Sequence, residues 1–219
     1  MSDYDRIAEV ILQNGNNLEL FSEQFEAVNI LHCGGESVYY GKIFNTEQSS
    51  DYLHYFLQDT PWKNDEALIF GRNIVTARKV AWYGEENYAY TYSNKTRIAL
   101  PWTKELLDIR KVVEKIAGAT YNSCLLNLYE DGAQGMGWHH DDEKGLGKDA
   151  NIASVSFGAE RRFDMRHKKN KEKISLILEH GSLLVMRGTT QTYWHHQVPK
   201  SKKIQYPRVN LTFRTMLEC

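Results

Sequence analysis

The sequence predicts a mixed α and β protein that ends in an antiparallel sandwich or jelly-roll barrel. Two periodicities carry that expectation. Apolar residues recur at spacings of three and four in two early segments, whereas from Tyr121 onward they alternate at a spacing of two, in short runs with no helical segment between them. Composition bounds the rest: 219 residues, 42% hydrophobic and 25% charged with only 4 Pro, suit one substantial globular domain and exclude collagen-like, low-complexity and wholly disordered chains.

Residues 1–60 are the least legible. Within them, Asn45 or Thr46 caps a predicted helix through about Asp59, with Tyr52, Leu53, Tyr55, Phe56 and Leu57 as its apolar face. Thr103 caps a second helix, on which Leu106, Ile109, Val113 and Ile116 form a stripe that Gly118 closes. Strands are predicted at 121–130, 151–157, 162–165, 174–179, 183–186 and 208–216.

Two of these strands are amphipathic in an uncommon way. In the first, Leu126 and Leu128 oppose Asn127 and Tyr129; in the last, Val209, Leu211 and Phe213 oppose Arg208, Asn210, Thr212 and Arg214. A half-buried strand wetting its polar side gives the same pattern. Two arginines on one face also fit a barrel interior that holds a small dianion, because their planar forks match carboxylates and phosphates. Alternation alone leaves open which face is inward.

No apolar stretch approaches the roughly 18 residues of a membrane-spanning helix, and Met1 to Val10 is acidic and lacks a signal peptide's apolar centre, so an intracellular location without a membrane is expected. Cys33, Cys124 and Cys219 form no Cys-x-x-Cys pair, which argues against a disulfide framework or a cysteine zinc site. Residues 1–60 hold 2 Lys/Arg against 10 Asp/Glu, and the remainder 25 against 18, a split of −8 and +7. A basic later part suits approach to a polyanion, and a mildly basic solvated surface would look the same.

The chemistry concentrates in Gly137-Trp138-His139-His140-Asp141-Asp142-Glu143. His-x-Asp puts both side chains on one face of an extended strand, where they can share an ion. Alone it is a weak signal in a chain with 8 His. A second imidazole source, His195-His196, lies just before the arginine strand. Two His and one carboxylate make the facial triad of non-haem Fe(II) oxygenases, which leaves coordination positions for cosubstrate and oxygen. Both His139-x-Asp141 and His140-x-Asp142 fit, completed by either His195 or His196, and a one-residue slip would turn every ligand away.

The succession Asn127-Leu-Tyr129, Asp131-Gly132, His139-x-Asp141-x-Glu143, Ser154-Val-Ser156-Phe-Gly158, Arg162-Phe163, His180-Gly181-Ser182, His196, Pro199 and Arg208-Val-Asn210-Leu-Thr212-Phe-Arg214 resembles the AlkB-like Fe(II)- and 2-oxoglutarate-dependent nucleic-acid dealkylases. The resemblance covers most of residues 60–219. It implies a double-stranded β-helix (jelly-roll) catalytic core over 121–219, with N-terminal helices and a nucleotide-recognition lid within 1–120 packed on that core. It implies the frame His139, Asp141 and His196 for Fe(II), since only that frame puts an acidic residue, Glu143, two positions beyond the aspartate; the other puts Lys144 there. It assigns Asn127, Tyr129, Arg208, Asn210 and Arg214 to 2-oxoglutarate, with Arg208 at the distal carboxylate and Arg214 nearer the metal-bound end. O2 is the further cosubstrate.

The implied activity is oxidative demethylation of N-alkylated bases, such as 1-methyladenine and 3-methylcytosine, in DNA or RNA, as direct repair of alkylation damage. A methyl on a ring nitrogen is a poor target for hydrolysis, so oxidation of its C–H bond is the milder route, with 2-oxoglutarate converted to succinate and CO2 and the carbon leaving as formaldehyde. The resemblance nominates Tyr92, in Tyr90-Thr91-Tyr92-Ser93, as one wall of the base pocket and His139 as the other. It nominates Phe70 as a wedge in the vacated stack, although ordinary core packing explains Phe70 equally. Asp142 and Glu143 suit a cationic methylated base, or a solvated loop. Arg162 belongs to the stretch Arg161 to Lys173, whose seven Lys/Arg face only Asp164 and Glu172; with Arg78-Lys79 these are candidate contacts to substrate and phosphate, and a charged hairpin tip would look alike. Rival readings are the same core acting on a protein or small molecule, and a nucleic-acid-binding module without turnover. Oligomeric state is not legible.

Overall fold

The computed structural model describes residues 27–69, 72–85, 89–92, 95–141 and 144–217, with backbone alone for 67–69, 72–74, 89–92, 95–97 and 144. In chain order the strands are β1 (Val28–Asn29), β2 (Glu36–Lys42), β3 (Lys63–Ile69), β4 (Arg72–Gly84), β5 (Ala89–Tyr92), β6 (Lys95–Ile98), β7 (Leu100–Pro101), β8 (Ser123–Tyr129), β9 (Met136–His139), β10 (Ile152–Gly158), β11 (Arg161–His167), β12 (Lys173–Leu178), β13 (Ser182–Arg187), β14 (Trp194–Val198) and β15 (Arg208–Arg214). The helices are α1 (Thr46–Asp59), α2 (Lys104–Ala117) and the one-turn α3 (Thr190–Tyr193). Among the described residues, no helix is long and apolar enough to cross a membrane.

Both predicted helices form where their caps place them. Asn45 Oδ1 accepts from the Gln48 amide at 2.8 Å and Gln48 Oε1 from the Asn45 amide at 3.1 Å, a reciprocal capping box that starts α1. Thr103 accepts from the Leu106 amide at 3.3 Å, and Gly118, left-handed at φ 63°, ends α2. The buried stripe of α2 is Leu106, Ile109, Val113 and Ala117, with Ile116 only half-buried.

The larger sheet runs β1-β2-β13-β10-β15-β8-β4-β3, with β7 parallel to β4; the smaller runs β12-β11-β14-β9; β5 and β6 form a separate hairpin. All other pairings are antiparallel. Strands β8 to β15 are distributed over the two sheets in an order consistent with a jelly roll. Position 120 is not a seam in the larger sheet, since β2, β3 and β4 pair into it beside β8 and β13.

Each face of the larger sheet has its own partner. Leu126, Val155, Phe157, Val209, Leu211 and Phe213 pack with Phe56 of α1 and Leu106, Ile109 and Val113 of α2. On the opposite face, Ile152, Leu184 and Met186 meet Phe163, Met165, Trp194 and Val198 of the smaller sheet. Phe163, Met186 and Val198 of this second cluster also line the cavity described next.

Candidate metal and cosubstrate site

The alternation on β8 and β15 resolves here. Their leucine, valine and phenylalanine faces enter the helix-side core, while Asn127, Tyr129, Arg208, Asn210, Thr212 and Arg214 line a cavity of about 240 Å³ between the sheets. The antiparallel register sets Arg208 opposite Tyr129 and Asn210 opposite Asn127, so four of the five residues assigned to the cosubstrate form two cross-strand pairs on one face.

β9 pairs with β14 so that His139 lies opposite His196, and their rings approach to 4.2 Å between centroids. Asp141, two residues beyond the end of β9, brings Oδ1 to 3.8 Å from His139 Nε2 and 4.0 Å from His196 Nε2. One ligand atom from each of the three lies within 4.8 Å of the others. His139 Nδ1 donates to the Gly137 carbonyl at 2.8 Å, which leaves Nε2 as the free donor atom on the cavity side. His196 rests against Phe163 with ring centroids 5.4 Å apart. Burial, with His139 beside it, draws the His196 imidazole down to about 3, so it is neutral and able to bind a metal at neutral pH.

Asp141 is buried, yet it stays ionised. Burial pushes its carboxyl up, but Arg214, then His196 and His139, outweigh this and hold it well below the usual carboxylate range. Arg214 donates to Asp141 Oδ2 at 2.6 Å, leaving Oδ1 toward the imidazoles. Two imidazole nitrogens and one carboxylate oxygen, all on one side of an open space, are the donor set that Fe(II) takes in a facial triad.

The part of the cavity around Arg208 is rich in hydrogen-bond donors. Arg208 is 1% exposed; its NH2 donates to Ser156 Oγ at 3.0 Å, but Nε and NH1 have no hydrogen-bond partner among the described residues. Burial draws its guanidinium down to about 10. A buried guanidinium with two unmet donors calls for a carboxylate. Asn210 is held by Ser154 Oγ at 2.8 Å and the Val155 carbonyl at 2.9 Å. The residues present therefore fit both Fe(II) and a keto-diacid.

A family model described as the 2OG-Fe(II) oxygenase superfamily matches residues 36–214, which includes every one of these side chains. The chain belongs to the 2OG-Fe(II) oxygenase superfamily. Members of this superfamily use Fe(II) and 2-oxoglutarate, with O2 as co-substrate, which agrees with the donor set above. The chain is 39% identical over 187 residues to the human alpha-ketoglutarate-dependent dioxygenase alkB homolog 3, covering 81% of this chain and 65% of that one. It is 44% identical over 157 residues to the human DNA oxidative demethylase ALKBH2, covering 68% and 60%. It thus spans under two thirds of the length of these two relatives. The fold is shared with the solved structure described as "The structure of OsALKBH1", at a TM-score of 0.61 and 17% identity over 84% of this chain and 99% of that one.

Other expected contacts are distributed differently. Phe70, Ser93, Asp142 and Glu143 lie outside the described residues, and Tyr90 and Tyr92 fall on β5, of which the backbone alone is described. Arg162 stands on β11 with Nε 3.0 Å from Asp164 Oδ1 and does not line the cavity. Arg161, counted with the phosphate candidates, is corrected: it is 1% exposed and donates to the carbonyls of Gln134 at 2.8 Å, Pro199 at 2.9 Å and Asp131 at 3.3 Å, so it ties loops together. Arg78 is corrected too, because it lines the cavity, paired with Asp65 and donating to Met136 Sδ. Asp65, Trp82, Met136 and Met186 are cavity residues that sequence reasoning missed.

Proposed function

We propose that this chain is a dioxygenase that oxidatively demethylates N-alkylated bases, 1-methyladenine and 3-methylcytosine among them, in DNA or RNA, and so reverses alkylation damage directly inside the cell. The observation that carries the catalytic part is the single cavity lined by His139, Asp141, His196 and the unpartnered N–H groups of Arg208. Support for the nucleic-acid part comes from relatives such as the human DNA oxidative demethylase ALKBH2, together with the exposed lysines of the β11–β12 hairpin.

His139, Asp141 and His196 would hold Fe(II), and Arg208, Tyr129, Asn127, Asn210 and Arg214 would hold 2-oxoglutarate, with Arg208 on the carboxylate far from the metal and Arg214 nearer the metal-bound end. When bound, Fe(II), 2-oxoglutarate and O2 supply the oxidation of the methyl C–H bond, with succinate and CO2 as coproducts; the hydroxymethylated base then releases formaldehyde. Arg214 keeps Asp141 ionised and turned toward the imidazoles. Phe163 fixes the plane of the His196 ring. The facing sheets exclude bulk water from one side of the site, which strengthens each of these electrostatic contacts.

The division of labour follows the same reading. Residues 121–219 supply the jelly-roll core, and residues 1–120 supply, besides sheet strands, a lid that brings Tyr90, Tyr92, Ser93 and Phe70 to the base, with Asp142, Glu143 and Arg162 as further substrate contacts. The test is product analysis on DNA and RNA oligomers carrying 1-methyladenine or 3-methylcytosine, with Fe(II), 2-oxoglutarate and O2 supplied. Loss of the methyl with matching succinate and formaldehyde is expected. Succinate formation that ignores every oligomer would transfer the activity to a protein or small molecule. Tight oligomer binding without iron-dependent turnover would reduce the chain to a binding module.

A further inference from the structure

The amide of Asp141 lies past the last rung of the β9–β14 ladder, because β9 ends at His139. That amide donates to Gln191 Oε1 at 3.0 Å in a buried setting. Gln191 is 5% exposed, and its Nε2 reaches Met186 Sδ at 3.6 Å, so both ends of its carboxamide are engaged.

The main chain around Gln191 is held from three directions. Thr190 Oγ1 accepts from the Glu36 amide at 2.9 Å and lies 2.6 Å from the Arg187 carbonyl oxygen, to which it donates. Gly35, at φ +139°, packs so closely that a Cβ there would sit 2.6 Å from Thr190 Cα. Lys168 Nζ donates to the carbonyl of Gln191 itself at 2.8 Å. A glutamine fixed this firmly has little freedom to follow a neighbour, and instead constrains it.

Asp141 consequently has two anchors: Arg214 on Oδ2 and Gln191 on the backbone amide. The first aims the carboxylate. The second fixes the rotation of the chain just after β9, where no ladder hydrogen bond does so, and that rotation decides which residue of the irregular segment faces the imidazoles. We propose that Gln191 is a positioning residue for the metal centre, its side-chain carbonyl holding residue 141 in the frame where the carboxylate meets His139 and His196. This inference rests on the reading of those three residues as metal ligands. Partners hydrogen-bonded to ligating groups typically set metal affinity by about 10- to 100-fold, and Gln191 acts on the same ligand through its main chain.

The test uses Mn(II), which does not turn over, titrated calorimetrically into the full chain, with backbone amide exchange followed residue by residue. Gln191→Leu is expected to weaken Mn(II) binding about 10- to 100-fold and to speed exchange of the Asp141 amide, while exchange in β10 and β13 stays as it was. Gln191→Glu, which keeps an acceptor oxygen, is expected to restore most of both. Unchanged affinity and exchange in Gln191→Leu, or equal impairment in Gln191→Glu, overturns the proposal. Should Gln191→Leu fail to fold, Gln191→Asn, whose amide falls one methylene short of the Asp141 N–H, takes its place with the same expectation. Asp141→Ala separates the two layers: if it binds Mn(II) undiminished, the ligand reading fails; if it loses binding while Gln191→Leu does not, only the role of Gln191 fails.

Discussion

His140 meets His195 with ring centroids 5.1 Å apart, across the same strand pair that brings His139 to 4.2 Å from His196. The two pairs are adjacent along the chain, with His140 the first residue past β9, so both histidine frames of the sequence meet at this end of the β9–β14 ladder. The His139 and His196 pair has the Asp141 carboxylate beside it, with Oδ1 3.8 Å and 4.0 Å from the two Nε2 atoms.

That arrangement makes the frame testable. His139→Ala and Asp141→Ala should each abolish Mn(II) binding and turnover, while His140→Ala should keep most of both. Calorimetry beside a turnover assay reads the result, and a comparable loss in all three variants would show the frame to be misassigned.

Arg208 should govern the need for cosubstrate. Leaving a carboxylate unpaired beside a buried site costs about 3 to 5 kcal/mol, so Arg208→Ala should raise KM for 2-oxoglutarate about 100-fold or more. Mn(II) affinity should hold, since Arg208 bonds to Ser156 and to none of the three ligands. A KM unchanged within error would place the diacid elsewhere.

The exposed lysines of the β11–β12 hairpin and the buried Arg161 should behave in opposite ways. Replacing Lys169, Lys171 and Lys173 with alanine should flatten the salt dependence of oligonucleotide binding by about 2 to 3 in log–log slope, at roughly 0.7 to 0.9 per phosphate contact, with little change in stability. Arg161→Ala should instead lower unfolding stability by about 3 kcal/mol, because it strips the donor from three loop carbonyls. Salt titrations and urea melts on both variants decide the matter, and an unaltered slope in the triple variant would remove the hairpin from the interface.

Cys33 and Cys124 should differ sharply toward a maleimide. Cys33 is exposed, whereas Cys124 is fully buried and its thiol is pushed well above the ordinary value by that burial. Peptide mapping of the native protein should find label on Cys33 and none on Cys124 until denaturant is added. Rapid native labelling of Cys124 would contradict the packing of β8 against α2.

Legibility tracked how local each feature's cause is. The caps of α1 and α2 lie within three residues of what they cap, and both helices start and end where the sequence places them. Strands β8 and β15 announce themselves through strict alternation. Strands β3 and β4 do not, because a run such as Lys63-Asn64-Asp65-Glu66 has no apolar period to detect. Arg161 and Arg162 are neighbours of identical chemistry, yet one is sealed among carbonyls and the other is exposed. Arg78 is captured by Asp65, thirteen residues upstream, where the β3–β4 register shifts between Asn64 and Glu66. Gln191 carries no sequence signal at all, since its partner is an amide fifty residues away.

The sequence by itself determined which side chains share a face on the two polar strands, Asn127 with Tyr129 and Arg208 with Asn210 and Arg214, through the two-residue period of extended chain. It also carried, through the order of its motifs, the family. Only the tertiary structure decided that the polar face is enclosed, that Arg208 keeps unmet donors and that Asp141 stays ionised beside Arg214. The reason is that periodicity is a property of the local backbone, whereas depth from solvent, and with it the strength of every charge in the cavity, exists only once the second sheet closes over the first.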